Sequence, residues 1–160
     1  MPSSLPEDRC PRCGAPARGG LRGCFDLLSE VLAREYMDPE YGAVHLFTVD
    51  AHALQHPEDH GYKNNAFHLV RLCYMLERGG SPAIGRGPRW LAPAFDGRPD
   101  IPDLQSPAVR GAITVAHVHA VPNAEEHCAM ARAWAESVWE AWSIHHDWAR
   151  VWLKELWDRL

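Results

Sequence analysis

The feature that most constrains this chain is a pair of cysteines two residues apart on a tight turn. The pair lies in Cys10-Pro11-Arg12-Cys13-Gly14, and a third cysteine, Cys24, follows eleven residues later. Thiolates at this spacing can point at one ion, and Zn²⁺ is the usual occupant of such a turn. The sequence therefore predicts a zinc ion held by Cys10, Cys13 and Cys24. A closed tetrahedral site needs a fourth ligand, which we expect to be a histidine from elsewhere in the fold.

Composition and charge exclude several classes of protein. With 160 residues and a hydrophobic fraction of 46%, the chain is long enough to bury the core of one globular domain. A net charge of −5 without a Lys/Arg run argues against nucleic acid or an anionic membrane as a partner. The polar N-terminus and the lack of a long apolar stretch predict neither a signal peptide nor a membrane span. The odd number of cysteines, five, favours a metal or free thiols over disulfides, so we expect a cytoplasmic protein, and the excess of Arg over Lys points to a bacterial source.

Apolar residues at helical spacing predict a mainly α chain, a single-domain helical bundle over residues 1–160. The expected segments are a disordered stretch (1–9), the cysteine knuckle with its Gly-rich connector (10–24), three helices within 24–78 (24–36, 43–56 and 65–78), a Pro/Gly-rich loop (79–111) and a long C-terminal helix (123–158). The loop carries two large aromatic residues and is expected to wrap over the helices. The β-branched segment 113–121 leaves strand and helix both open.

The C-terminal helix has the clearest pattern. Asn123 and Glu126 are typical of a helix start. An apolar stripe follows at helical spacing through Trp134, Val138, Ala141, His145, Trp148 and Trp152. Because His145 interrupts this stripe, we expect it to point inward, where a histidine is more often hydrogen-bonded than bound to a metal. Its neighbour His146 lies 100° further around the helix, and a bend near these two histidines stays open although no proline forces one.

Three histidines share one face of the second predicted helix. His45, His52 and His56 fall within about 40° of one another at 100° per residue. His52 and His56 have the i, i+4 spacing at which two imidazoles can bind one ion. The apolar residues of this helix predict that it is largely buried, and buried imidazoles need a hydrogen-bond or metal partner. The alternative is a polar stripe that faces water. Cys73 and Cys128 lie in apolar helical patterns and are interpreted as core thiols.

These segments resemble an uncharacterised bacterial family, domain-of-unknown-function family 5946. The matching stretches are Cys-Pro-Arg-Cys-Gly-Ala (10–15), Thr-Val-Asp-Ala-His-Ala-Leu-Gln-His-Pro (48–57) and Trp-Ala-Glu-Ser-Val-Trp-Glu-Ala-Trp-Ser-Ile-His-His (134–146). The middle stretch usually resembles Val-Asp-Ala-Tyr, so His52 stands in place of a tyrosine. That difference favours His56 as the fourth ligand. The resemblance implies no activity. It does imply that the three stretches belong to one shared structural arrangement.

Two classes of function remain open, with a third less defined. The first is a binding or scaffold protein with a structural Zn²⁺ at Cys10, Cys13, Cys24 and His56. The second is a metal-dependent enzyme, a hydrolase or transferase, in which His45, His56 and His145 or His146 leave a position for water or substrate. The third is a sensor that binds a small molecule under the Pro-rich loop. A metal ion is thus the expected partner, and a small-molecule ligand or a protein partner stays open.

Overall fold

The computed structural model describes residues 8–160 and is built from helices. Over this range the helices are α1 (Leu21–Met37), α2 (Pro39–Gly42), α3 (His45–Gln55), α4 (Tyr62–Glu77), α5 (Leu91–Phe95), α6 (Val115–Ala120), α7 (Ala124–Ala141) and α8 (His146–Trp157). Short 3-10 turns lie at Pro57–Asp59 and Ser143–His145. The predicted mainly α class is confirmed. The segment 113–121 contains helix α6, which decides between the two alternatives that its sequence left open.

Helix α3 is the centre of the bundle. Residues 50–57 are all buried, including the polar side chains of Asp50, His52, Gln55 and His56. The helix packs against α7, α4 and α1. Burial on several sides confirms the prediction made from its apolar residues. It also means that every polar group on α3 must find a partner inside the protein.

Helices α1 and α3 run antiparallel, because their contacts pair the start of one with the end of the other. Cys24, in the first turn of α1, contacts His52 and His56 at the end of α3. Glu35, near the end of α1, contacts His45 at the start of α3. Cys24 and Glu35 are eleven residues apart, which corresponds to about 16 Å along a helix. Two polar centres therefore lie at opposite ends of this helix pair.

The prediction of one continuous helix over 123–158 is wrong, since the chain forms α7 and α8 with a 3-10 turn between them. No proline causes the break. Trp142 is fully buried at the end of α7, and its indole N–H donates to the Leu54 carbonyl at 3.1 Å. His146 stacks on Trp139 with ring centroids 3.8 Å apart and bonds the Trp139 carbonyl at 2.7 Å. These tertiary and local contacts outweigh a continuous helical pattern.

The Pro/Gly-rich loop wraps over the helices, as predicted. Four of its apolar side chains are buried in the core: Leu91, Phe95, Ile101 and Leu104. The Arg98 guanidinium lies 4.6 Å from the Trp152 ring centroid, which ties the loop to α8. Trp90 packs edge-on against Tyr74 and Trp157.

At the N-terminal side, the disorder predicted for 1–9 concerns mostly residues 1–7, which lie outside the described range. Asp8 and Arg9 do not follow that prediction, because Arg9 forms a β-bridge with Pro16. Within residues 8–160, no helix is both long enough and apolar enough to cross a membrane.

The buried charge of Asp50 on α3 is balanced by side chains of α4. The carboxylate is fully buried and accepts hydrogen bonds from Arg71 at 2.5–3.2 Å and from His68 at 2.7 Å, both on α4. Burial alone would raise the pKa of Asp50, but the charge of Arg71 and the bond from His68 outweigh it and lower this pKa. The ion pair therefore joins α3 to α4.

We predict that Asp50→Asn lowers the free energy of unfolding by about 3–5 kcal/mol, because the substitution leaves Arg71 as a buried charge without its partner. Glu136→Gln is the matched control. Glu136 pairs with Arg132 at the surface, where an i, i+4 pair contributes at most about 0.5 kcal/mol. Urea unfolding of both variants measures the difference, and equal losses would contradict this role of Asp50.

Candidate metal centre

The knuckle turn (residues 10–14) is closed by backbone hydrogen bonds. The Gly14 N–H donates to the Cys10 carbonyl at 2.9 Å, and the Cys10 N–H donates to the Ala15 carbonyl at 2.9 Å. Gly14 has a φ of +76°, in the left-handed region where a residue with a Cβ is strained. The glycine that ends the motif is thus required by the turn, and the turn places the sulfurs of Cys10 and Cys13 close together.

Cys24 joins the pair from the first turn of α1, as its position in the sequence predicts. The chain between the knuckle turn and α1 crosses this helix closely: a Cβ at Gly23 would lie 1.9 Å from the Arg18 carbonyl oxygen. Only glycine permits this approach. The result is a distance of 3.7 Å between the sulfurs of Cys13 and Cys24.

His56, at the C-terminal cap of α3, completes a group of four ligands. Its Nε2 lies 3.4 Å from the sulfurs of both Cys10 and Cys24, and the four ligand atoms all lie within 4.8 Å of one another. A tetrahedral ion with Zn–S bonds of about 2.3 Å and Zn–N bonds of about 2.0 Å separates two sulfurs by about 3.8 Å and a sulfur and a nitrogen by about 3.5 Å. The two nitrogen–sulfur separations of 3.4 Å and the Cys13–Cys24 sulfur separation of 3.7 Å match these values. The four side chains, called the metal centre below, can hold a metal ion.

The orientation of the His56 ring is fixed by its other nitrogen. Nδ1–H donates to the His52 carbonyl at 2.7 Å, so Nε2 faces the sulfurs. Metal-binding histidines are commonly held by such a bond to a backbone carbonyl. Burial disfavours the protonated ring, but contacts with the Cys10 and Cys13 sulfurs outweigh burial and raise the pKa of His56 to about 9. The pocket thus stabilises positive charge at this Nε2.

The thiols of the metal centre compete for protons. Hydrogen bonds from Cys13 and Cys24, and then from His56, lower the pKa of Cys10 against the effect of burial. The same interactions with Cys10 and Cys13, together with burial, raise the pKa of Cys24. Cys10 therefore ionises more readily than Cys24. A divalent ion held by these residues would remove this competition, since cysteine ligands bind as thiolates and release their protons.

His52 lies beside the metal centre and outside the group of four. Its ring stacks on His56, with centroids 3.9 Å apart and planes 15° from parallel, and its Nε2 lies 3.6 Å from the Cys24 sulfur. Burial, followed by the charge of His56, lowers the pKa of His52 to about 3. The imidazole is therefore neutral at physiological pH.

Gln55 ties the metal centre to the rest of the core. Its amide donates to the carbonyls of Arg110 and Ile113 at 2.9 and 2.8 Å, and its Oε1 accepts the indole N–H of Trp134 at 2.9 Å. The side chain is fully buried and uses both of its polar atoms. Because Gln55 precedes His56 directly, the contacts of Gln55 also fix the position of this ligand.

Arg110 connects the end of the long loop to the knuckle turn. Its guanidinium donates to the Arg12 and Gln55 carbonyls at 3.4 and 3.2 Å and pairs with the Glu58 carboxylate. Arg12 in turn bonds Asp59 at 3.4 Å. The knuckle, the end of α3 and the loop thus meet around the metal centre.

The other candidate ligands lie elsewhere. His145, expected to point inward, is half-buried and bonds the Gln105 carbonyl at 2.7 Å, so that expectation is wrong. The buried member of the pair is His146, which bonds the Trp139 carbonyl.

His45 faces α1, as does His56, but it lies at the opposite end of α3. Among residues 8–160, no second group of three or more ligands lies close enough to hold an ion. The proposed cluster of His45 and His56 with His145 or His146 is therefore not formed.

His45 belongs to a second buried cluster that the sequence reasoning missed. The Glu35 cluster consists of a fully buried carboxylate that accepts from His45 Nδ1 (2.9 Å), His127 Nε2 (2.9 Å) and the Thr48 hydroxyl (2.5 Å). Burial would raise the pKa of Glu35, but these hydrogen bonds outweigh it and lower this pKa. A signal was present in the sequence, since Cys24, Leu28, Val31 and Glu35 follow helical steps of four, three and four. A carboxylate at the end of an apolar stripe indicates a buried charge with partners.

The two remaining cysteines differ in environment. Cys73 is buried as predicted, and burial, followed by the charge of Glu77, raises its pKa to about 12. Cys128 is only half-buried, and its thiol donates to the Glu40 carbonyl at 3.3 Å, so it is not a core residue. Neither belongs to the metal centre.

The family of the chain is decided by its match to one sequence profile. Residues 8–143 match the profile of a family of unknown function, DUF5946. The chain belongs to this family. The matched range contains all four residues of the metal centre, the Glu35 cluster and Gln55, and it ends before α8. The chain matches no curated protein and no solved structure at a significant level.

We predict that Glu35→Gln lowers the free energy of unfolding by about 3 kcal/mol at pH 7, because an amide cannot accept three hydrogen bonds as a carboxylate does. The pKa of Glu35 in the folded protein lies below its unfolded value of about 4.3. The advantage of the wild type over the variant is therefore fully present above pH ~4.3 and is lost as the pH falls through the folded pKa. Urea unfolding at several pH values measures it.

The control is Glu30→Gln, since Glu30 pairs with His119 at an exposed position. Its effect is expected to stay within about 0.5 kcal/mol at every pH. A loss in Glu35→Gln that does not change with pH would show that the carboxylate charge is not the cause.

Proposed function

We propose that this protein is a zinc-stabilised helical bundle in which Cys10, Cys13, Cys24 and His56 hold one structural Zn²⁺. The observation that carries the proposal is the near-tetrahedral spacing of these four ligand atoms. Three thiolates and one imidazole form a soft donor set that suits zinc among the common biological ions. With four protein ligands the site is closed, which is typical of structural zinc.

The state of the cysteines supports the proposal. All five are free thiols, although two sulfurs of the metal centre lie 3.7 Å apart. Free thiols fit a reducing compartment, for which we propose the cytoplasm, and such cysteines bind metals readily. Cys10, Cys24 and His56 are buried and only Cys13 is half-exposed, so the protein shields the ion from solvent.

In this proposal, the ion joins segments that have little apolar contact of their own. Cys10 and His56 are 46 positions apart, and Cys24 adds the start of α1. Within residues 8–20, the buried side chains besides Cys10 are small ones, those of Ala15 and Ala17. Such a segment gains too little from apolar burial to offset the entropy of ordering it. Metal coordination supplies the missing stabilisation.

The open metal site of an enzyme has less support. A catalytic zinc keeps a position for water or substrate, whereas this centre has four protein ligands. His45 lies about 16 Å away along α3 and is engaged with Glu35. The hypothesis of a small-molecule sensor stays a prediction.

We predict one equivalent of zinc per chain in protein purified under reducing conditions without chelator. Cys10→Ser is expected to lose the ion, because serine is a poor zinc ligand. Cys73→Ser is the matched control, since Cys73 is equally buried but lies in α4 away from the centre. Elemental mass spectrometry measures the zinc content of both variants.

Three outcomes of the zinc measurement would contradict the proposal. Wild-type protein without metal would exclude the centre, a second equivalent would indicate another site, and zinc retained by Cys10→Ser would show that other residues bind it.

We also predict that removal of the ion with a chelator lowers the melting temperature, and that added Zn²⁺ restores it. Structural zinc binds with about 10–16 kcal/mol in small domains, so its loss exceeds the effect of most single substitutions. Cys128→Ser, which changes a thiol outside the centre, is expected to respond to the chelator as the wild type does. An unchanged melting temperature after complete removal would show that the ion is not structural.

A further inference from the structure

The proposed centre carries a charge that the protein must balance. Three thiolates and a neutral imidazole around a divalent ion leave a net charge of −1. Cys10, Cys24 and His56 are at most 2% exposed, so water compensates little of this charge. Buried charge of this kind is stable only when hydrogen-bond donors face it.

His52 is placed to be such a donor. Its Nε2 lies 3.6 Å from the Cys24 sulfur, and the side chain is 2% exposed. Among residues 8–160, the other side chains that bond this sulfur are those of Cys10, Cys13 and His56, all members of the metal centre. Within that range, His52 is thus the one side-chain donor from outside the ligand set that reaches the Cys24 sulfur.

The same geometry argues against His52 as a ligand. Its ring is nearly parallel to His56 at 3.9 Å, and both Nε2 atoms lie beside the Cys24 sulfur, at 3.6 Å for His52 and 3.4 Å for His56. A ligand nitrogen must point at the ion from a different corner of the tetrahedron. His52 accordingly lies outside the group of four atoms that can share an ion.

We propose that His52 is a positioning residue of the zinc site, whose Nε2–H donates a hydrogen bond to the Cys24 thiolate. This inference rests on the proposed function, since it needs an ion that keeps Cys24 deprotonated. The donor reduces the negative charge on the sulfur and stabilises the metal-bound form. Bonds of this kind to ligand atoms commonly change metal affinity by 10–100-fold.

Aromatic contacts hold the donor in place. Phe25 meets the His52 ring edge-on at 4.9 Å and 77°, and Trp134 meets it at 6.4 Å and 87°. His56 covers one face. A ring held on three sides has little freedom to rotate, so its N–H is directed at the sulfur before the ion binds.

Two substitutions separate the donor from the shape of the ring. His52→Phe keeps an aromatic ring but removes the N–H, and His52→Gln keeps an N–H donor without the ring. We expect His52→Phe to lower zinc affinity by about 10-fold or more and His52→Gln to restore most of it. His145→Phe is the matched control, because His145 bonds the Gln105 carbonyl and lies outside the centre. Chelator competition measures the affinities, and circular dichroism checks the fold.

Cobalt provides a readout that a purely structural role would not change. In the Co²⁺-loaded protein, loss of the hydrogen bond makes the sulfur a stronger electron donor. The thiolate-to-cobalt charge-transfer band of His52→Phe should therefore move to lower energy, while the visible bands stay those of a tetrahedral site with three sulfurs and one nitrogen. A change in the visible bands would instead show that His52 is a direct ligand and overturn the proposal.

The wild type itself allows a direct test that does not depend on the variants folding. In the ¹¹³Cd-loaded protein, the Hε2 proton of His52 should show a scalar coupling to cadmium through the N–H···S bond. Absence of this coupling, or equal zinc affinity of wild type and folded His52→Phe, would overturn the role of His52 alone. Wild-type protein that binds no metal would instead overturn the proposed function.

Discussion

Helix α3 carries polar side chains into the interior on several sides, and each must form its hydrogen bonds with the surrounding helices. Thr48 bonds Glu35 of α1, Asp50 pairs with α4, Gln55 joins α7 to the end of the long loop, and His56 faces the cysteines. Almost every polar residue in the stretch 48–57 therefore bonds a different part of the surrounding structure. This explains why the arrangement of the whole bundle depends on one short helix.

The metal centre extends this arrangement to a part of the chain that lacks a core of its own. Residues 8–20 contain no helix, and their turns depend on backbone hydrogen bonds and on Gly14. His56 and Gln55 are adjacent, so coordination at one residue and amide bonding at the next act on the same turn of backbone. The proposed ion thus links the N-terminal segment to the packing of Trp134 and the long loop.

Local patterns predict much of this structure. The knuckle is a short motif with its own turn chemistry, and the shared face of His45, His52 and His56 follows from helical geometry alone. What the sequence does not reveal is which partner each histidine meets. The antiparallel course of α1 decides that, since it brings Cys24 to His52 and His56 and Glu35 to His45. A bend near His145 and His146 was left open by the sequence, but its cause was hidden, because burial of Trp142 and stacking of His146 on Trp139 depend on the assembled bundle.

The placement of the two polar centres at opposite ends of the α1–α3 pair has a consequence for how the molecule opens. The Glu35 cluster needs no residue of the knuckle, and the metal centre needs no residue of the cluster. We therefore expect each end to open separately, with its own free energy of opening. We expect a reagent that removes the proposed ion to free the N-terminal end first and to leave amides around Glu35 protected from exchange. Acid also weakens the other end, where it protonates the Glu35 carboxylate. The arrangement therefore favours partial opening from either end while the apolar middle of the helix pair stays closed.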